Sequence, residues 1–313
     1  DVKGIVLTVA MIILALDILA SLWLSGRLRG MRTGAAIVLA GCFIASGDGL
    51  RAQDLEPNDA LALAVTNEVV LGHVMTGDAS IDRVAQAGLA GLSDVLYRRT
   101  SIEPAAPIGV NLETDELAFF PLLYWPITPT QPIPSAEAYT RLNRYLRSGG
   151  MILFDTRDAD IGGFGSASGA NTPEGRKLQQ LAAGLDIPPL EPIPSDHVLT
   201  RTFYLLQDFP GRYISRNVWV EAAPPEAELV EGMPFRNLND GVTPVVIGGN
   251  NWAEAWAIDD RGGAMFPVGR GYAGERQREI AFRFGVNLVM HVLTGNYKSD
   301  QVHVPALLDR LGQ

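Results

Sequence analysis

The chain has 313 residues, with 25 Lys and Arg against 35 Asp and Glu, a formal charge of −10. That acidic balance argues against a nucleic-acid partner and against direct binding to an anionic lipid face. The single cysteine, Cys42, excludes disulfides, Cys-based zinc sites and a cysteine nucleophile from everything after it.

Hydrophobicity is concentrated at the start. Gly4 to Leu24 reads GIVLTVAMIILALDILASLWL, broken by one charge, Asp17. A helix crosses a bilayer with about 20 apolar residues, so this run is a predicted span. An ionisable group within a span is costly and tends to face a partner helix or a polar cavity, which makes Asp17 a candidate membrane-assembly residue. The plainer account is an unpaired Asp17 that is protonated or snorkels to the interface. Arg27, Arg29 and Arg32 then assign the following loop to the cytoplasmic side. A second run, Thr33 to Gly47, is short for a span, although bilayer thinning absorbs such a mismatch. If it crosses, the rest of the chain lies outside the cytoplasm, and that is the expectation adopted; if it lies in the interface, the rest is cytoplasmic. Leu39-Ala40-Gly41-Cys42 resembles a lipoprotein box, but the apolar stretch before it is too short for a signal peptide. The chain begins at Asp1 directly before a span, so it is expected to continue a longer polypeptide. The predicted organisation is an anchor over 1–52, with spans at about 4–24 and 33–47, and a soluble domain over 53–313.

Beyond Ala52 strand-like and helix-like segments alternate. Glu68 to Met75 reads as a buried strand, and Ile81 to Leu96 has helical apolar spacing. Leu117 to Trp125 is a second strand, with Pro121 marking an end or bulge. Ser135 caps a helix carrying Ala138, Leu142, Tyr145 and Leu146, which Gly149-Gly150 stops. Met151 to Phe154 is uniformly apolar, as a strand buried on both faces should be. Thr172-Pro173 opens a helix to about Leu185. Pro188 to Pro194 reads as an extended connector. Arg216 to Val220, Val245 to Gly248 and Ala253 to Ile258 read as strands, and a final helix covers about Arg276 to Leu293. This alternation predicts an α/β fold, a mostly parallel sheet with helices on both faces.

Ligands of such sheets sit beyond the C-terminal strand ends. Three places qualify: Thr76-Gly77-Asp78, the loop from Asp155-Thr156-Arg157 to Asn171, and Gly248 to Trp252. Asp155, Asp158 and Asp160 are weak calcium candidates, because their spacing matches no helix-loop-helix site. Gly162 to Gly169 precedes a helix but fits no phosphate-binding pattern. A phosphoaspartate site would need an acid where Arg157 stands. His73 reads as core, His291 as a last-turn residue suited to a helix dipole, and His303 as tail. His197 follows Pro194-Ser195-Asp196, and Asp196 or Asp155 could orient it as a base. A loop histidine bonded to a turn is the plainer account. Asn250, Asn251, Trp252 and Trp256 suit sugar or peptide recognition, and suit a hairpin between two strands better.

The segments FFPLLYWPI, RLNRYLRSGGMILFDTRD, SDHVLTRTFYLLQDFPGRY, PVVIGGNNWAEAWA and ERQREIAFRFGVNLVMHVLTGNYKSDQVHVPALLDRL together resemble the domain-of-unknown-function 4159 family over roughly Leu61 to Leu311. The most telling parts are the helix-Gly-Gly-strand-Asp unit and the unit of Asp196, His197, Leu199, Phe203 and Tyr204. The resemblance implies a flavodoxin-like sheet similar to class I glutamine amidotransferases. It also implies the end of a longer bacterial membrane protein with an aerotolerance-regulator-like N-terminal region. Those enzymes carry a Cys nucleophile at a sharp strand-to-helix turn; this domain has no Cys, so their chemistry does not carry over. Related bacterial membrane proteins are often encoded beside MoxR-type ATPases and von Willebrand A-like proteins, which by analogy implies an assembly role in the envelope. The expectation is therefore a non-catalytic binding or scaffolding domain on the periplasmic side of a bacterial inner membrane, with bilayer and membrane-protein partners and no cofactor. Its candidate ligand residues are Asp155, Thr156, His197, Asn250 and Asn251. The alternative is an envelope hydrolase of sugars or peptides with His197 and Asp155 as acid and base. An enzyme should bring those two within hydrogen-bond reach; a scaffold should leave them apart and show an apolar surface patch.

Overall fold

The uniformly apolar segment at 151–154 lies at the centre of a seven-stranded sheet. A computed structural model describes residues 68–159, 172–214, 217–222 and 243–311, with backbone alone for 296–311. All fall within one compact unit, Pro57–Gln313. The predicted spans, Asp17, Cys42 and Asp160 lie outside the described residues. Among the described helices, none is long and apolar enough to cross a membrane.

The strands are β1 (Gly72–Val74), β2 (Ile108–Val110), β3 (Leu122–Pro126), β4 (Met151–Asp155), β5 (Leu190–Pro192), β6 (Trp219–Glu221) and β7 (Val245–Gly248). Their order is β2-β1-β3-β4-β7-β6-β5. The first five run parallel, and β6 and β5 close the far edge antiparallel. The helices are α1 (Ala79–Arg99), α2 (Ala136–Arg147), α3 (Pro173–Ala182), α4 (Trp252–Trp256) and α5 (Gly271–Leu311). Alternation along β3 divides the core into two faces. Leu122 and Tyr124 join the buried cluster with α1, α4 and α5, whereas Leu123 and Trp125 join the one with α2 and α3. The mixed α/β, mostly parallel architecture expected from the sequence is present.

The caps form as their sequences dictate. Ser135 accepts from the Ala138 amide, and Thr172 accepts from the Gly175 amide with Pro173 in the first turn. Several boundaries differ from the sequence expectation. Leu117–Phe119 is a 3₁₀ turn, and the strand starts only after Pro121, which has no N–H for a ladder. The short edge strand β2 and strand β5, inside the supposed connector, carry little apolar signal of their own. The predicted strand at 253–258 is helix α4, and no hairpin joins it to β7. Five residues WAEAW fit a period of 2 as well as 3.6; burial of both Trp252 and Trp256 decides for the helix. Helix α5 runs to Leu311, so His291 is interior to it and not in its last turn.

Helix α1 lies against α4 with backbone nearly touching backbone. A Cβ at Gly88 would stand 2.6 Å from the Ala253 carbonyl oxygen, and one at Gly91 1.9 Å from that of Trp256. We expect Gly91→Ala to destabilise by about 1–3 kcal/mol, the usual range for overpacking, and to lower the thermal midpoint read by circular dichroism. Ala at Gly77, whose added Cβ meets nothing within 4 Å, should cost less because only its left-handed backbone resists.

Candidate functional site

The last residue of β4 organises the strand ends. Asp155 pairs in register with Gly248 of β7 and is fully buried. Its Oδ1 accepts from the Arg157 amide at 3.0 Å and the Asn251 amide at 3.1 Å. Its Oδ2 accepts from the Tyr124 hydroxyl at 2.8 Å and the Trp252 amide at 2.7 Å. Burial pushes the Asp155 carboxyl up to about 6, while the Trp252 amide, the Tyr124 hydroxyl and the Arg157 charge pull the other way. Burial, reinforced by Asp155, holds the Tyr124 phenol well above its ordinary value, so Tyr124 is a neutral donor.

Thr156 and Asp158 form a separate network. The Thr156 amide bonds the Gly248 carbonyl at 2.8 Å, and its hydroxyl reaches Asp158 Oδ1 at 2.5 Å. Asp158 Oδ2 accepts from the Thr172 hydroxyl, which fixes the cap of α3 over β4. Asp155 and Asp158 thus serve different donors. Among the described residues, no group of three His, Cys, Asp or Glu side chains is placed to hold a metal ion.

After β7 the chain turns sharply into α4. Asn251 takes the left-handed conformation, φ 55° and ψ 62°, at that turn. The segment Phe209–Tyr213 roofs it: Asn250 Nδ2 donates to the Phe209 carbonyl at 2.7 Å, and the Arg212 and Tyr213 amides donate to the carbonyls of Asn251 and Asn250. Asn251 Oδ1 is buried without a hydrogen bond. Asp155, Asn251 and Trp252 therefore meet directly, with Thr156 and Asn250 alongside.

His197 has other partners. It is buried, and its Nδ1 accepts from the Leu199 amide at 3.2 Å, capping the 3₁₀ turn Val198–Thr200. Burial lowers its pKa to about 4 against the opposing pull of Asp196, so the imidazole is neutral near pH 7. None of the four partners of Asp155 is His197. The sequence reading missed the two side chains that fix these loops. Tyr124 was hidden in an apolar strand. Asn287, buried in α5, accepts from the Tyr204 amide at 2.8 Å and donates to the Leu199 carbonyl at 2.7 Å. A polar residue at an interior helix position was its available signal. His291 likewise accepts from the Thr243 amide, and His73 bonds Gln86.

An open groove of about 1420 Å³ lies between α5 and the 193–209 segment, lined in part by Pro194, Leu206, Phe209 and Ile280. Leu205 and Tyr272 project at its sides, 85% and 80% exposed.

The chain belongs to the family described as a domain of unknown function, DUF4159, whose model matches residues 70–293. No curated protein matches the sequence.

Replacing Asp155 by Asn retains its shape but turns two acceptor sites into an N–H₂ group facing donors. We expect a loss of about 3 kcal/mol in urea unfolding, from buried donors left without acceptors. His197 gives a pH signature. Its pKa of about 4 when folded lies below the ordinary histidine value of 6.5, so the unfolded chain binds the extra proton between these values. Stability from this group is present above pH 6.5 and is lost as pH falls toward 4, by about 3 kcal/mol. The stability difference between the unaltered chain and His197→Gln should shrink by that amount from pH 7 to pH 4.

Proposed function

We propose that this chain acts as a non-catalytic binding module, anchored in a bacterial inner membrane with its α/β domain on the periplasmic side. In this reading it scaffolds a membrane-protein complex, with a MoxR-type ATPase and von Willebrand A-like system as the partner class. The observation that carries the reading is the pairing of a committed strand-end carboxylate with an exposed apolar groove. All four hydrogen bonds to Asp155 go to structural donors, whereas Leu205 and Tyr272 stand open to solvent. Exposed apolar groups flanking a concave surface mark an interaction site. Arg201 and Arg276 face the groove together with Asp208 and Glu275, which suits an amphipathic helix with charges of both signs beside its apolar stripe.

A flavodoxin-like, amidotransferase-like fold is supported by the parallel order β2-β1-β3-β4-β7, which has the 2-1-3-4-5 pattern. In such enzymes the nucleophile occupies a sharp strand-to-helix turn. The turn after β7 has that form, but Asn251 stands at its left-handed position and Phe209–Tyr213 covers it. A carboxamide is not a nucleophile, and this favours binding over catalysis. The hydrolase alternative, with His197 and Asp155 as acid and base, draws less support because the two side chains serve different networks.

The intact protein, extracted from its native membrane in mild detergent, should bring a membrane or ATPase partner in stoichiometric amount by mass spectrometry. The Leu205→Asp, Tyr272→Asp double variant should recover roughly tenfold less, as expected when anchor residues of an interface are lost, with an unchanged thermal midpoint. Recovery of the protein alone, or equal recovery with the double variant, overturns the reading. Cleavage of envelope glycopeptides that is lost in His197→Ala would favour the hydrolase.

A further inference from the structure

Beyond the C-terminal ends of β3 and β4 stands a polar cluster whose donors find no acceptor. Thr128 Oγ1, Gln131 Nε2 and Arg157 Nε are each buried and without a hydrogen bond. Thr128 and Gln131 are themselves only 3% and 4% exposed. One short turn holds them together. Arg157 Nη2 donates to the Ile127 carbonyl at 3.0 Å, and the Gln131 amide donates to the Thr128 carbonyl at 3.4 Å. The Trp125 indole N–H approaches Gln131 Oε1 at 3.4 Å. An indole nitrogen only donates, so the free end of the Gln131 carboxamide is its N–H₂. Arg157 Nε also only donates, and the Thr128 hydroxyl is able to.

Buried donors without acceptors are expensive, and a native fold seldom keeps three in one place without a use. Arg157 adds a second cost. It has a positive φ of 58°, rare for a residue other than Gly, Asn or Asp. The Asp155 carboxylate holds its amide there at 3.0 Å, and the resulting geometry turns the guanidinium toward the β3 end. β3, at whose end the cluster stands, also borders β1, and the crevice between those two strands is the one where open α/β sheets of this order bind ligands.

We propose that Arg157, Gln131 and Thr128 form a binding site for the carboxylate of a small organic acid. Two observations favour a carboxylate over a phosphate. The first amides of α1, the natural cradle for a phosphate, are already taken: Asp78 accepts from Ser80 and Ile81. Asp78 and Asp155 both lie within the field of Arg157, so a dianion meets more repulsion there than a monoanion does. This site is separate from the groove beside α5, and neither depends on the other.

The test uses the full-length protein in detergent, titrated with propionate, a monocarboxylate, and with inorganic phosphate at constant ionic strength. Binding is read by isothermal titration calorimetry and by the thermal midpoint in circular dichroism. Propionate should bind saturably and raise the midpoint, with phosphate at least tenfold weaker. Arg157→Gln and Gln131→Leu should each weaken propionate roughly tenfold, as loss of a charge-assisted or buried contact does. Thr128→Val keeps shape and burial, and should weaken it while the protein stays folded. No saturable propionate binding would mean that buried water serves these donors, and it overturns the proposal. Equal binding by all three variants, or tighter phosphate than propionate, overturns it too.

Discussion

The buried carboxylate of Asp155 is the interaction on which the sheet's C-terminal edge depends. It draws donors from β3, from the segment after β4 and from the turn after β7, so three stretches of chain meet on two oxygen atoms. Removing an ion from water costs several kcal/mol and is offset only where every lone pair finds a donor. Here the phenol of Tyr124 and three backbone amides supply that. The same bonds explain the local backbone. Arg157 and Asn251 both sit at positive φ, and both have their amide N–H fixed to Asp155.

Much of this arrangement was legible in the sequence where the signal is local. Ser135, Thr172-Pro173 and Gly149-Gly150 specify helix ends through hydrogen bonds a few residues long, and the apolar run at 151–154 announces a central strand. The sequence also grouped Asp155, Thr156, Asn250 and Asn251 as strand-end candidates, together with His197, which caps a turn elsewhere. Their bonding could not be read, because the partners lie far away in the chain: Tyr124 is 31 positions from Asp155, and Trp252 is 97. Helix α4 was invisible for a different reason. Five residues hold too little periodicity, and what selects the helix is the close fit of Ala253 and Trp256 against Gly88 and Gly91.

The histidines show the same limit. His197 attracted a catalytic reading with Asp196 or Asp155 as its orienting acid, yet its Nδ1 holds a turn. His291 reads as a helix-end charge until the helix proves to continue, and then it is an acceptor for the Thr243 amide ahead of β7. Both are buried, so the environment that sets their chemistry comes from the rest of the fold.

The central place of β4 has a consequence for biogenesis. Its ladder with β3 needs only chain up to residue 155, but its other neighbour, β7, and the amides of Asn251 and Trp252 lie almost a hundred residues further on. Until those residues arrive, β4 has one edge open and its carboxylate has only the Tyr124 and Arg157 donors. An apolar strand in that state is a template for wrong pairing. The centre of the sheet is therefore the last part to be completed: β4 is protected on both edges only when the segment through residue 252 has folded back onto it.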